Sequence, residues 1–324
     1  MSKTAYERIK ASGELPSPSG VALRIHKLAE DENTTIEQIS AVVELDPAIA
    51  ARVLKTVNSP LAGMSRQVVS TSHAVAMLGV RTVTSLALGL SLLQDNRCGR
   101  CKGFNYELFW SDAIARAVVA RHISKHVKGF VPDEAFTCGL LSQIGRLAFA
   151  CADPVRYEQA ITTTKDQPPA RLRSLERTFF GIDHNELSSE MMEEWLIPKI
   201  FCSAIRFQSS PSDGDIAPDS REHLFARILG FSESVARILT RPSVEREALS
   251  DVLLEAGQFG IAPGDYAEVF DAISEEWQQA GDILAVQTRH VPPLAALQVQ
   301  AQQRYDAQHC ADTSAAPTTT RTRA

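Results

Sequence analysis

The chain lacks the features that mark membrane and exported proteins. No run of 18 consecutive apolar residues occurs in its 324 residues, which is the length that a membrane-spanning helix needs. Residues 1–8, MSKTAYER, lack the apolar core of a signal peptide. We therefore expect a cytoplasmic protein without a membrane partner.

An excess of basic residues is also missing. The net charge is −6, whereas general binding to nucleic acid or to an acidic membrane depends on clustered Lys and Arg. No aromatic residues alternate with the basic ones, and no recognised DNA-binding motif is present. The composition argues against a nucleic-acid partner, and a helical nucleic-acid-binding regulator stays as an alternative hypothesis.

The six cysteines include one closely spaced pair, Cys98 and Cys101. Such a pair supplies two of the four ligands of a structural zinc ion, and no second Cys-x-x-Cys or matching His pair follows at finger spacing. We therefore interpret this pair as part of a plain loop, in preference to a zinc or redox site. The sequence predicts no metal and no cofactor.

Helix signals dominate, and convincing strand alternation is absent. Thr35 with Gln38 forms a capping box, and Asp46 is an N-cap followed by a proline at the first helical position. Longer helices with apolar faces are predicted over Tyr106–His126 and Asp133–Ala152. With 44% hydrophobic residues available for a core, the predicted fold class is all-α.

The chain is predicted to divide into helical segments of different composition. Residues 15–93 should form a bundle of four or five helices and residues 104–209 a second bundle, with a polar loop after it. Residues 219–287 should form a C-terminal helical extension, whose first helix could still pack on the second bundle. Residues 288–324 are rich in Ala, Gln and Thr and poor in bulky apolar residues, so we expect a disordered tail.

Three sequence blocks resemble a known bacterial family. Residues 46–59 and 70–79 form the first, and residues 180–187 with the Trp-x-x-Pro at 195–198 form another. Between them, residues 140–147 read LLSQIGRL, which is similar to the Leu-Leu-His-Asp-Ile-Gly-Lys-Leu frame of HD phosphohydrolases. Over residues 15–209 the chain resembles the HDOD family. The resemblance implies an N-terminal helical bundle packed on an HD-like bundle.

The resemblance also shows which catalytic groups are missing. Ser142 and Gln143 stand where the HD frame has its adjacent His and Asp, and Asp112 stands where the family pattern often has a His. With His184, only two potential ligands remain on separate helices, whereas a hydrolytic centre generally needs three. We predict a degenerate, non-catalytic site. A residual metal-dependent phosphohydrolase or phosphodiesterase using Asp112 and His184 is the alternative.

This degenerate site has two further interpretations. His184 could complete a buried hydrogen-bond network with Asp112 or Gln143, or the polar cluster could hold a small ligand in the concavity left by the metal. Ser142 with His184 does not suggest a serine hydrolase, since no Gly-x-Ser-x-Gly surrounds the serine.

Two other places carry predictions. Asn58 and Ser59 either end a helix, with Asn58 as a left-handed cap, or belong to a recognition crevice between the two halves. Phe270 and Trp277 lie on one stripe of a predicted amphipathic helix, and we expect this stripe to be a partner-binding face.

The resemblance implies a role in bacterial signal transduction through protein contacts. Its expected partners are signalling proteins: response regulators, histidine kinases, or enzymes that make or degrade cyclic di-GMP. The expected outcomes are effects on motility, biofilm formation or stress responses.

Overall fold

The computed structural model describes residues 4–59, 67–165, 167–213, 216–218 and 220–314. Within these ranges the regular structure is helical, with no strand, as the sequence predicts. The helices are α1 (Ala5–Lys10), α2 (Gly20–Ala29), α3 (Ile36–Val43), α4 (Pro47–Val57), α5 (Thr71–Leu78), α6 (Val80–Asp95), α7 (Tyr106–His126), α8 (Pro132–Leu141), α9 (Ile144–Ala152), α10 (Pro154–Thr163), α11 (Pro169–Phe180), α12 (His184–Glu194), α13 (Lys199–Phe207), α14 (Arg221–Thr240), α15 (Arg246–Gln258), α16 (Tyr266–Leu284) and α17 (Leu294–Ser314).

The N-terminal bundle consists of α2 to α6. Two of its helices begin at the predicted caps: the Thr35 side chain accepts from the Gln38 amide, and Asp46 accepts from the amides at the start of α4. Its helices meet in a core that includes Ile25, Ile39 and Val53, all fully buried. The helices thus begin at the caps that the sequence indicates, and the same packing buries their apolar faces.

The HD-like half, α7 to α13, is organised around α7. Helix α8 lies so close to α7 that a β-carbon at Gly139 would meet the Arg116 carbonyl oxygen at 2.7 Å. Helix α14 also packs along α7, so the first helix of the C-terminal extension completes this half. The main helices around the candidate site are therefore α7, α9, α12 and α14.

The single helix predicted over Asp133–Ala152 is wrong in one respect, because it breaks into α8 and α9 at residues 142 and 143. The Ser142 hydroxyl donates to the Gly139 carbonyl oxygen, and Gln143 leaves helical geometry with φ −119° and ψ 24°. Because of the break, the side chain of Gln143 does not follow the direction that a continuous helix would give it, and Gln143 is one of the predicted site residues.

One apolar stretch of the described chain, residues 132–152, is long and apolar enough to pass as a membrane span, and the bent pair α5 and α6 would be a second. In the first stretch, 78% of the apolar window is buried inside the protein. Helices in the core of a globular bundle have this property.

The prediction that Phe270 and Trp277 form a partner-binding face is wrong. Trp277 is fully buried, and its indole Nε1 donates to the Ser111 carbonyl oxygen at 3.0 Å. Phe270 is only 6% exposed. The apolar stripe of α16 packs largely inside the protein, with α7 among its neighbours. The apolar periodicity of α16 correctly indicated a buried face, but the helices that bury it belong to the same chain.

The C-terminal end of α16 also accepts hydrogen bonds from the N-terminal bundle and from the segment that follows it. The Lys55 Nζ donates to the Asp282 carbonyl oxygen at 2.6 Å, and the Arg97 guanidinium donates to the carbonyls of Leu284 and Ala285 at 2.9 and 2.8 Å. Basic groups satisfy carbonyls that the end of a helix leaves without partners.

The predicted disordered tail is also corrected, since α17 occupies residues 294–314. Leu294, Leu297 and Ala301 are at most 4% exposed, and α17 packs on α15 and α16. The Leu294 amide donates to Asp271 Oδ1 at 2.9 Å, so a residue of α16 caps this helix. These few apolar residues hold α17 against α15 and α16. Residues 315–324 lie outside the described ranges.

Candidate functional site

Three of the four predicted site residues line one cavity. Asp112 of α7, Gln143 at the α8–α9 break and His184 at the start of α12 surround a space of about 260 Å³, which we call the Asp112 cavity. Ser142 does not line it, because its fully buried hydroxyl is turned to Gly139. The fold therefore assembles the predicted cluster without its serine.

His184 is held by a carboxylate that the sequence did not single out. Its Nδ1 lies 2.6 Å from Glu176 Oε2, and its backbone amide donates to the same oxygen at 3.0 Å. Glu176 of α11 is fully buried and His184 is 4% exposed. The predicted buried network exists, but the structure gives His184 this partner, not Asp112 or Gln143. The contact fixes the orientation of the imidazole, and His184 lines the cavity.

Close packing brings α9 to α12. A β-carbon at Gly145 would collide with the carbonyl oxygen of His184, and the Gly145 amide donates to the Ser188 hydroxyl at 2.9 Å. The glycine of the HD-like frame thus places Gln143 and His184 side by side.

Arginines also line the Asp112 cavity. Arg116 lies one helical turn after Asp112 on α7, and Arg146 follows Gln143 on α9, with its Nη1 3.4 Å from Gln143 Oε1. Arg116 is 2% exposed, and its Nε and Nη2 have no hydrogen-bond partner among the described residues.

Sequence reasoning missed these arginines. The available signal was an arginine inside the apolar run AIARAVVA at residues 113–120. Helix α14 adds Glu233, Arg237 and Thr240 to the cavity wall from a part of the chain outside the recognised motif.

For both Asp112 and Arg116, burial and the neighbouring opposite charge shift the pKa in opposite directions. Burial raises the pKa of Asp112 above its usual 3.8, although the charge of Arg116 and a hydrogen bond with Thr240 act in the other direction. Burial lowers the pKa of Arg116, while Asp112 and Glu233 act to raise it. The cavity therefore disfavours an ionised Asp112 while a guanidinium remains charged beside it.

Asn58 has a structural role. Its amide nitrogen donates to the carbonyls of Leu54 and Val68 at 2.8 and 2.7 Å, and its Oδ1 accepts from the Val68 amide. Its φ of −93° shows that the left-handed cap prediction is wrong. The Asn58 side chain thus joins the end of α4 to Val68 without a left-handed backbone.

Ser59 lines a crevice of about 500 Å³ between the N-terminal bundle, α7, α8 and α16, which we call the Ser59 crevice. The exposed Met77 and the buried Glu276 also line it. Asn58 is not among its lining residues. Ser59 thus lines a crevice between the two halves, and its role in recognition stays a prediction.

Metal-ligating groups do not converge in the described part of the chain. No group of three or more His, Cys, Asp or Glu side chains there is arranged to hold a metal ion. Cys98 is exposed and Cys101 is buried, both as free thiols. Asp112 and His184 would supply two ligands to the Asp112 cavity. Its one other acidic lining residue among the described ones is Glu233, and the remaining lining residues are neutral or cationic.

Comparison with known proteins identifies the architecture. A crystal structure from Shewanella amazonensis SB2B, named "Putative phosphohydrolase", superimposes with a TM-score of 0.69 at 23% identity, covering 87% of this chain and 98% of that one. An HDOD domain protein with unknown function from Geobacter sulfurreducens gives a TM-score of 0.67 at 19% identity, covering 86% and 96%. At these identities the likeness shows the fold.

An uncharacterized protein of Treponema pallidum (strain Nichols) is 25% identical over 240 residues, which are 72% of this chain and 44% of that protein's length. The chain thus matches less than half of that relative. The model of the HDOD domain matches residues 15–211, more than half of the chain, and the chain belongs to the HDOD domain family.

Proposed function

We propose that this protein is a non-catalytic signal-transduction module of the bacterial cytoplasm that acts by binding other proteins. The observation that carries the proposal is the composition of the Asp112 cavity. Neutral Gln143 and two guanidinium groups, those of Arg116 and Arg146, lie there, and Ser142 is turned away from it. The divalent ions of hydrolytic centres are held mainly by carboxylate and imidazole ligands, and nearby positive charge weakens their binding.

One feature favours the alternative of a residual metal-dependent phosphohydrolase. The Glu176–His184 contact resembles the carboxylate–histidine pairs that orient metal-binding imidazoles. His184 and Asp112 could contribute two ligands. Against this, burial raises the pKa of Asp112, which makes its anionic form less available.

The two functions are separated by metal analysis and a hydrolysis assay on the purified full chain. After incubation with Mn²⁺, Fe²⁺ or Zn²⁺ and gel filtration, we expect far less than one equivalent of metal. We also expect no release of product from phosphomonoesters or cyclic nucleotides. About one equivalent of metal, with hydrolysis that disappears in His184→Ala, would overturn the proposal.

Restoring the HD pair tests how far the site has departed from a catalytic one. The double variant Ser142→His with Gln143→Asp should take up more metal than the wild type, because the change at position 143 adds a carboxylate to the cavity wall. Turnover should stay absent, since position 142 is turned away from the cavity and Arg116 and Arg146 remain. Gln143→Asn is the matched control. Vigorous hydrolysis by the double variant would mean that the remaining site is intact.

We propose response regulators, histidine kinases or enzymes of cyclic di-GMP turnover as the partner class, with effects on motility, biofilm formation or stress responses. Family membership and the acidic balance of the chain support this proposal. We further propose the Ser59 crevice as the contact region, because it lies where both bundles and α16 meet and includes the exposed Met77.

The partner proposal is tested by affinity capture from the native cell with mass spectrometry. Met77→Glu should reduce capture of a signalling protein. Val155→Glu, at an exposed site on α10, should not. Equal capture by both variants would exclude the Ser59 crevice, and capture of proteins outside signalling would overturn the partner class.

A further inference from the structure

We infer that the Asp112 cavity binds the phosphate group of a small phosphorylated molecule. The inference rests on the proposed function, because it names a ligand for the same non-catalytic site. Among the described residues that line the cavity, the acidic ones are Asp112 and Glu233, and the basic ones are Arg116, Arg146, Lys165, Arg237 and Arg241. The local charge is therefore positive in a chain whose net charge is −6.

Arg116 is the strongest indication that the cavity binds an anion. Its side chain is nine-tenths or more buried, lines the cavity, and leaves Nε and Nη2 without a partner among the described residues. A guanidinium that stays charged when buried requires acceptors, and an unsatisfied one is costly. A ligand with several anionic oxygens would satisfy it.

Arg146 approaches the same space from another helix, and its Nε also lacks a partner in the described chain. Guanidinium groups donate two parallel hydrogen bonds to phosphate oxygens, and a tetrahedral phosphate can accept from several such groups at once. Arg237, on α14, is partly exposed and adds positive charge to the same cavity. Arginines from three helices therefore converge on one space, which favours phosphate over a planar carboxylate.

The rest of the cavity wall suits the carbon-bearing part of a metabolite. Leu108, Ile161, Leu172 and the consecutive Pro168 and Pro169 supply apolar surface. The volume of about 260 Å³ is near the lower end for small-molecule sites. The ligand class is thus a small phosphomonoester.

The first experiment is calorimetry on the full chain with inorganic phosphate, adenosine 5′-monophosphate, adenosine and acetate. Phosphate and the monophosphate should bind saturably, the monophosphate more tightly, and both more weakly as salt rises. Adenosine and acetate should give no saturable signal. Failure of both phosphate probes to bind at roughly 5 mM would overturn the inference, as would binding of acetate as tight as that of phosphate.

The second experiment locates the binding. Arg146→Gln and Arg237→Gln should each weaken monophosphate binding about tenfold, because a charge-assisted hydrogen bond is lost. Arg24→Gln removes the same charge from an exposed position on α2 and should leave binding unchanged. Both variants are chosen at side chains that are not fully buried, so the fold should tolerate them. Binding that is equal in all three variants would place the phosphate elsewhere and overturn the inference.

The same samples distinguish the two proposals. Phosphate release, followed by ³¹P NMR, would overturn the non-catalytic function but leave the ligand class standing. Absence of binding with no hydrolysis would overturn only the ligand.

Discussion

Two arginines on α7 have contrasting surroundings. Arg121 bonds Glu276, lies 3.9 Å from Asp133 and stacks over the ring of Phe136 at 4.5 Å, so that only its Nε lacks a partner. Arg116 is more deeply buried, and two of its nitrogens have no partner in the described chain. The same helix therefore carries one arginine that joins α7 to α8 and α16 and another that the fold leaves unsatisfied.

The difference shows which arginine serves stability. A buried charge with partners contributes to specific packing, whereas an unsatisfied one destabilises the protein and is tolerated where function requires it. Arg121 belongs to what we call the Glu276 cluster, together with His122 and Asp133; His122 Nε2 lies 2.6 Å from Glu276. Arg116 belongs to the Asp112 cavity. The contrast predicts opposite responses to removal of the charge.

The largest expected effect comes from Arg121→Met, which leaves the Glu276 carboxylate without its guanidinium. We expect a loss of about 2–3 kcal/mol in the free energy of unfolding, somewhat less than for a fully buried pair because 23% of the Arg121 side chain is exposed. Arg116→Met keeps the unbranched apolar stem and removes a guanidinium whose Nε and Nη2 have no partner among the described residues, so stability should change by less than about 1 kcal/mol or increase.

Urea unfolding followed by circular dichroism measures both variants. Equal destabilisation would contradict the assignment of Arg116 to function, because it would show that the fold depends on both charges alike.

A smaller effect concerns acid stability at the Glu276 cluster. Burial alone would raise the pKa of Glu276, but the hydrogen bond with His122 and the charge of Arg121 outweigh it, so its pKa lies below the usual 4.5. Stability from a carboxylate with a lowered pKa is present above about pH 4.5 and is lost as pH falls through the folded value. Wild type should therefore lose its advantage over Glu276→Gln between pH 5 and pH 3, by roughly a few kcal/mol at most.

The control is Glu275→Gln, at an exposed neighbouring position on α16. Its stability profile from pH 7 to pH 3, measured by thermal unfolding, should follow that of the wild type. A constant gap between Glu276→Gln and wild type over the whole range would contradict the lowered pKa.

The smallest effect should be seen with Asp112→Asn. Unlike Arg121→Met and Glu276→Gln, this variant should gain stability. Because burial raises the pKa of Asp112, the folded state disfavours its charged form at neutral pH. The variant should be slightly more stable than wild type at pH 7, and the gain should vanish as pH falls below the unfolded value near 3.8. Thermal unfolding at pH 7 and pH 3 measures it. Destabilisation at pH 7 would show that Asp112 stabilises the fold as an anion.

Much of the fold was predictable because its signals are local. The caps at Thr35 and Asp46 and the span Tyr106–His126 depend on neighbouring residues, and the structure has them as predicted. Trp277 was misjudged because an apolar periodicity indicates a buried face but not what covers it. Helix α17 was misjudged because composition does not show that its few apolar residues find a surface on α15 and α16.

The amino-acid sequence by itself determined the helical class, the HDOD resemblance, and the loss of the adjacent His and Asp at Ser142 and Gln143. Only the tertiary structure decided what replaced them. Arg116, Arg146 and Arg237 lie far apart along the chain, and packing of α9 and α14 against the neighbourhood of α7 brings their charges to one cavity. Charge acts through distance in space and burial, and neither can be read from spacing along the chain.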